Sequence, residues 1–415
     1  MAELHSTPDG RRFQLGIYGR RNVGKSTTFN ALIRHEHAIV SEIPGSTTDP
    51  VAKAVELPVL GPTLLLDAPG IDDASALGAA RVAKTRETFE RVDAGLLVLD
   101  GSRGSEAYGG YEEEIASSLH ERGAAVLACV NKADLADSAE LSALTRRLTD
   151  VGLPPVLFSA KDAFTAQTGV PSILAALAGL VPESAFVPPP LVADLLSPGE
   201  IAVLVVPVDI AAPKGRLILP QVQTLREILD IGAVGLVAQP PTLSSTLARL
   251  TERPALVVTD SQAFAEVARI VPPEVPLTSF SILLARQKWE LRTLAAGVRA
   301  MSGLTERSRV LIAEACTHHP TTEDIGTVKL PRALRARFGA GLQIEHIHGS
   351  DFPDAASLGG FDLIIHCGGC VLNRRQTRSR LARAASAGTP ITNYGLALAN
   401  LTGILDRALA PLGDC

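Results

Sequence analysis

The run Gly19-Arg20-Arg21-Asn22-Val23-Gly24-Lys25-Ser26 constrains this chain more than any other stretch. It fits G-x-x-x-x-G-K-[ST]. An apolar run over residues 13–18 precedes it and a helical pattern over 25–34 follows. Strand, loop and helix in that order are the context a phosphate-cradling loop requires. The loop then sits where backbone N–H groups and a helix N-terminus face anionic oxygens. Lys25 is placed to neutralise β- and γ-phosphate charge, the Ser26 hydroxyl to ligate Mg²⁺, and Thr27 to continue the cradle into the first helical turn.

Further motifs follow in a fixed order. Asp67-Ala68-Pro69-Gly70 ends a strand-like run over 63–67. An Asp there can hold Mg²⁺ through water, and the Gly70 N–H can meet a γ-phosphate. Thr47 and Thr48 lie between the first helix and the second strand, where one of them, with Thr47 the first choice, closes over Mg²⁺. Asn131-Lys132-Ala133-Asp134 ends another apolar run. The Asp134 carboxylate can accept the N1–H and the exocyclic amine of guanine, whereas adenine leaves it unpaired. Ser159-Ala160-Lys161 ends the next strand and suits a base-facing loop. These motifs resemble the translation-factor-related GTPases of the Era/TrmE-like group, over about residues 12–180. The resemblance implies GTP and GDP as ligands, Mg²⁺ as cofactor, and K⁺ coordinated by Asn22. Ile71 stands where Ras-like enzymes carry a water-orienting Gln, so slow hydrolysis is expected.

Strand-like runs at 13–18, 63–67, 94–100, 124–131 and 155–159 alternate with helical patterns at 25–34, 79–91 and 138–149. Such alternation predicts a mostly parallel sheet. Prolines 182, 188, 189, 190 and 198 then mark a linker. A second block has strands at 201–208, 234–238, 255–259 and 277–280, with helices around Leu225 and Leu247 and over 261–270. It carries no chemistry-bearing cluster and reads as an assembly or spacer domain. One helix over 282–301 bridges to a third block, with strands at 309–314, 342–346 and 361–366 and helices at 331–338, 377–387 and 394–409. The expected fold class is α/β in three domains: nucleotide-binding over 1–184, a small α/β domain over 185–280 and a C-terminal α/β domain over 281–415.

The third block carries Cys316-Thr317-His318 and, with 47 residues between the two histidines, His366-Cys367-Gly368-Gly369-Cys370. Each group follows a predicted strand, and the C-terminal ends of parallel strands share one edge. Three thiolates with an imidazole or carboxylate suit Zn²⁺ or an iron–sulfur cluster, and spacing does not separate the two. His318 and His366 compete for the fourth position with His319, Glu323 and Asp324. Cys129 lies in an apolar strand and reads as core; Cys415 is terminal.

The nucleotide domain, the middle domain and C-x-H…H-C-x-x-C together resemble the HydF family of [FeFe]-hydrogenase maturation GTPases. The stretches Ala212-Pro213-Lys214-Gly215-Arg216-Leu217-Ile218-Leu219-Pro220-Gln221 and Asp324-Ile325-Gly326-Thr327-Val328-Lys329-Leu330-Pro331 add to the likeness. Membership implies a [4Fe–4S] cluster on Cys316, Cys367 and Cys370. It implies a transient diiron (2Fe) precursor, built with two radical-SAM maturases and delivered to apo-[FeFe]-hydrogenase. It also implies a homodimer or tetramer assembled through the middle domain.

The rest of the sequence narrows the field. The longest apolar stretches have strand length, so no transmembrane helix is expected. The N-terminal segment lacks an apolar core of the secretory type, and a sparse, odd set of five cysteines points to a reducing cytoplasm. Net charge is −5 and aromatics are 4% of residues, so nucleic acid is not expected as a partner. The alternative is an RNA-associated GTPase with a zinc-binding C-terminal domain. A third reading is an iron–sulfur enzyme that uses GTP as cosubstrate. Arg374, Arg375, Arg378, Arg380 and Arg383 form the one dense basic run.

Overall fold

The computed structural model describes residues 7–34, 39–42, 51–68, 85–159, 163–186, 188–208, 217–315, 324–349 and 352–413. They fall into two compact units, Met1–Val187 and Pro188–Cys415.

The strands of the first unit are β1 (Phe13–Tyr18), β2 (Ile39–Glu42), β3 (Val51–Leu57), β4 (Gly61–Asp67), β5 (Ala94–Asp100), β6 (Ala125–Asn131) and β7 (Pro155–Leu157). Its helices are α1 (Lys25–Ile33), α2 (Gly110–Glu121), α3 (Ser138–Asp150) and α4 (Ala163–Leu180). The sheet runs β2-β3-β4-β1-β5-β6-β7. From β4 to β7 it is parallel, and β1 is buried along its whole length. That explains its near-continuous apolar sequence, since helices cover both faces of a parallel sheet. The sequence reading omits β2 and β3, an antiparallel pair at the edge with Ile39 opposite Glu56. In β3, Lys53 and Glu56 interrupt the apolar residues, so it resembles the buried runs less. The described part of the 79–91 pattern is a short helical turn over 85–88.

The second unit holds two further parallel sheets. In the middle domain β8 (Ile201–Val205), β9 (Val234–Ala238), β10 (Leu256–Thr259) and β11 (Leu277–Ser279) take the order β11-β10-β8-β9. They alternate with α5 (Leu219–Asp230), α6 (Leu243–Ala248), α7 (Phe264–Ile270) and α8 (Phe280–Lys288). Val234 and Val237 of edge strand β9 are exposed, as are Val222 and Leu229 on α5. An exposed apolar edge of this kind is one that association covers.

The C-terminal domain begins with α9 (Leu291–Arg299). Its strands β12 (Arg309–Glu314), β13 (Gln343–His348), β14 (Leu363–His366) and β15 (Ile391–Asn393) take the order β13-β12-β14-β15. Helices α10 (Leu330–Phe338), α11 (Ala355–Leu358), α12 (Arg374–Ala387), α13 (Tyr394–Leu401) and α14 (Leu405–Leu409) surround them. The bridging helix expected over 282–301 is two helices, because Trp289 is extended (φ −105°, ψ −179°) between α8 and α9. The helix expected over 394–409 ends at Gly403 (φ +73°), which suits the left-handed turn that stops a helix. Among the described residues, no helix is long and apolar enough to cross a membrane.

Candidate functional site

The first site forms at the C-terminal ends of β1, β4, β5 and β6. Gly19 (φ +140°) and Gly24 (φ +100°) take backbone angles that L side chains rarely adopt. A Cβ on Gly24 would stand 2.1 Å from the Asn131 amide nitrogen, and one on Gly19 would stand 2.4 Å from the Val98 carbonyl oxygen. The loop is therefore packed directly on β5 and β6. Asn131 donates to the Val23 carbonyl at 2.9 Å. Lys132 donates to the Asn22 carbonyl at 2.9 Å and pairs with Asp100 at 2.5 Å. Burial opposes ionisation of Asp100, but the Lys132 ammonium and the hydroxyl and amide of Ser102 outweigh it, and the pKa is lowered.

Lys25 Nζ donates to the loop's own carbonyls, Gly19 at 3.0 Å and Arg20 at 2.7 Å. Ser26 Oγ donates to Asp67 Oδ2 at 3.1 Å. The two expected Mg²⁺-facing groups are thus adjacent. Burial raises the Asp67 pKa against the opposing pull of Ser26 and Lys25. Arg20 forms a two-pronged pair with buried Glu112, at 2.7 and 3.0 Å. Glu112 also accepts from the Gly109 N–H at the start of α2. Sequence reading missed Glu112, which is the first of three consecutive glutamates and carries no local signal. Arg21, Asn22, Thr27 and Asp134 are exposed, Ser159 is buried, and Asn22 has φ +63°. Thr47, Thr48, Gly70, Ile71, Ala160 and Lys161 lie outside the described residues.

The second site forms at the ends of β12 and β14, which are adjacent and parallel, with Ala313 opposite His366. The Ala315 N–H donates to Cys367 Sγ at 3.2 Å. The residue that precedes Cys316 therefore touches the C-x-x-C loop. Cys316, His318, His319, Glu323 and Cys415 lie outside the described residues. Cys367 packs against the core of the C-terminal domain and Cys370 against that of the middle domain.

His366 is fully buried. Its Nδ1 meets the Cys367 carbonyl at 2.8 Å and its Nε2 meets Arg380 at 2.6 Å. A ring that donates from Nδ1 and accepts at Nε2 has no lone pair left for a metal in this arrangement. Burial, with the Arg380 charge, pushes its pKa down to about 3. Arg380 is buried over the Phe352 ring, and Arg383 donates to the Phe352 carbonyl. Two arginines of the basic run thus serve packing inside the domain. Glu314, buried at the end of β12, accepts from the Tyr394 hydroxyl at 2.8 Å and pairs with His348 at 2.9 Å. Burial and the nearby Glu314 and Cys367 charges raise the Tyr394 pKa. Sequence reading also missed Lys288 and Trp289, whose contacts with the cysteine loop span about 80 residues of chain. Cys129 is fully buried in β6, and burial pushes its thiol up to about 12.

Comparison with known proteins gives three family models. Residues 14–132 match a 50S ribosome-binding GTPase, residues 191–289 the hydrogen maturase F dimerization domain, and residues 292–411 the hydrogen maturase F tetramerization domain. The tetramerization match lies on the C-terminal domain, not on the middle one. Similar curated proteins include the tRNA modification GTPase MnmE of Heliobacterium modesticaldum, 43% identical over 121 residues, 29% of this chain and 25% of that protein. They also include GTPase Der of Kosmotoga olearia, 30% identical over 161 residues and 36% of each chain. The chain spans only a quarter to a little over a third of the length of these relatives. Among solved structures, Aquifex aeolicus Era bound to GDP and aluminium fluoride aligns with a TM-score of 0.33 at 20% identity, over 55% of this chain and 92% of that one. The G domain of the T. maritima FeoB iron transporter gives 0.29 at 20% identity, over 41% and 98%. The two maturase models together span more than half of the chain, behind a GTPase domain, and the chain belongs to the hydrogen maturase F (HydF) family.

Proposed function

We propose that this protein is a slow, K⁺-stimulated GTPase that acts as a scaffold: it binds a [4Fe–4S] cluster through Cys316, Cys367 and Cys370 and carries the diiron precursor to apo-[FeFe]-hydrogenase. The observation that carries this reading is the Ala315 N–H to Cys367 Sγ contact at 3.2 Å. It joins the residue before Cys316 to the C-x-x-C loop, which supports the reading that the three cysteines serve one centre. An N–H donor to sulfur is also the kind of group that stabilises a ligating thiolate. When bound, the cluster supplies an iron through which a ligand of the incoming unit can be held and released.

The residues of the chain have separable tasks. In the nucleotide site Lys25 turns from the loop carbonyls to the phosphates, Ser26 and Asp67 hold Mg²⁺, and Asn131, Lys132 and Asp134 fix loop and base. In the cluster site Cys316, Cys367 and Cys370 bind, while His366 holds the loop carbonyl of Cys367. Both thiols of the loop are only partly buried, which leaves room for exchange with a second body. The diiron unit is cargo. The maturases that build it and the hydrogenase that receives it are the proposed partners, in the cytoplasm.

The test is electron paramagnetic resonance on anaerobically reconstituted, dithionite-reduced protein, with metal analysis. A fast-relaxing S = 1/2 signal with about four irons per chain is expected. A silent sample with stoichiometric zinc overturns the scaffold reading in favour of a zinc-binding GTPase.

A further inference from the structure

Lys288 is the last residue of α8, a helix of the middle domain. Its side chain is buried. Its Nζ donates to the carbonyl oxygens of Gly369 at 3.3 Å, Cys370 at 2.8 Å and Leu372 at 2.7 Å. The next residue, Trp289, donates from Nε1 to the Gly368 carbonyl at 3.4 Å. Gly369 has φ +64°, and a Cβ there would stand 3.2 Å from the Trp289 ring. The loop between the two cysteines is thus held almost carbonyl by carbonyl from a neighbouring domain.

The other end of the hold is equally firm. Phe280, Leu283 and Leu284 bury α8 in the core of the middle domain, the core on which Cys370 also packs. Thr377 Oγ1 donates to the Lys288 carbonyl at 2.7 Å, tying the helix end to α12. Arg286 pairs with Asp194, and Gln287 donates to the Pro189 carbonyl at 2.9 Å. The last turn of α8 therefore also fixes the segment that opens the second unit.

Burying an ammonium is costly unless acceptors converge on it. An apolar side chain of similar length would fill the space at lower cost. A lysine does two things there that an apolar residue cannot. It gathers three carbonyls around one atom, which selects one loop shape. It also fixes a positive charge on the backbone of the loop that carries the two thiols. We propose that Lys288 is the positioning residue of the cysteine loop, supplied by the dimerization domain: it sets the loop shape for metal binding and favours the reduced, more negative state of the bound cluster. The redox half of this inference rests on the cluster reading above; the loop-shape half does not.

The test uses the full chain with Lys288→Gln and Lys288→Arg. The first readout is Co²⁺ affinity of the metal-free thiol form, followed by sulfur-to-cobalt absorption. The second is the midpoint potential of the reconstituted cluster. An arginine fork keeps the charge but cannot bring three carbonyls to one atom. Lys288→Arg is therefore expected to lose about tenfold in Co²⁺ affinity, the lower end of the cost of removing a supporting contact to a metal ligand. Its potential is expected to stay at the wild-type value. Lys288→Gln is expected to lose affinity likewise and to shift the redox equilibrium about tenfold against reduction, 59 mV for one electron. Wild-type Co²⁺ affinity in Lys288→Arg overturns the positioning role, and this variant decides that point alone if Lys288→Gln does not fold. A wild-type potential in Lys288→Gln overturns the charge role. If the wild-type chain binds Co²⁺ but takes up no cluster, the scaffold reading and the redox half fall together, while the Co²⁺ comparison still decides on positioning.

Discussion

In the nucleotide-binding unit, most residues of the site come from short motifs at the ends of neighbouring strands, and they bond largely to one another, with Asp100 and Glu112 added from outside the motifs. Asn131 holds Val23, Lys132 holds Asn22, and Ser26 meets Asp67. In the second unit the sulfur-bearing loop is held mostly by residues outside any motif. Lys288 and Trp289 come from the end of a middle-domain helix, and Arg380, which holds His366 beside the loop, comes from the dense basic run. A phosphate is bound largely by backbone, so its site must be local in sequence. A loop of thiols has no such internal support, so its shape is imposed from around it. The first site is thus self-contained, and the second depends on the packing of two domains.

The largest effects should separate the two sites. Lys25→Ala removes the ammonium proposed to turn from the loop carbonyls to the phosphates. Hydrolysis should fall on the order of 10²–10³-fold, as when a single charge-stabilising donor is removed, with iron content unchanged. Cys370→Ser should lose most of the iron and keep hydrolysis. Steady-state phosphate release and iron analysis on both folded variants check this. Loss of both properties in either variant breaks the division.

How much of this was legible follows the same line. The parallel strands β1, β4, β5 and β6 stand out as apolar runs, and Gly19 to Ser26 announces the loop because its chemistry needs those residues at that spacing. The C-x-x-C pattern announces two thiols. Glu112, Lys288 and Trp289 are silent, because each acts on a carbonyl or a guanidinium tens of residues away and no local pattern requires it there. The break at Trp289 was hidden for the same reason: its flanks are good helix formers, and tertiary contacts with Gly368 and Gly369 override them. His366 was visible as a histidine beside a cysteine, but only its two bonds show which task it performs.

A second prediction turns on that histidine. Its folded pKa is about 3, against an ordinary value near 6.5. The unfolded chain therefore takes up a proton that the folded chain refuses. Stability from this group is complete above about pH 6.5 and is lost as pH falls towards 3, by about 1.4 kcal/mol per pH unit. Denaturant unfolding of the second unit, followed by Trp289 fluorescence between pH 7 and 5, should show this slope. His366→Gln should flatten it, since an amide does not titrate. An unchanged slope in His366→Gln would remove His366 as its source.

The smallest effect concerns the nucleotide site. Asn22 has φ +63°, gives its backbone carbonyl to Lys132 and leaves its side chain exposed. Asn and Gly both tolerate that backbone angle. Asn22→Gly should therefore keep the loop and the Lys132 bond while removing only the carboxamide proposed to hold K⁺. A cation held there supplies charge that an arginine finger supplies in other GTPases. Wild-type hydrolysis should slow several-fold when Na⁺ replaces K⁺ at equal ionic strength. Asn22→Gly should hydrolyse at that slower rate in both salts. Equal wild-type rates in K⁺ and Na⁺ would leave Asn22 as a turn residue alone, and the self-contained character of this site would then rest on the loop, Lys25 and Mg²⁺ without a monovalent ion.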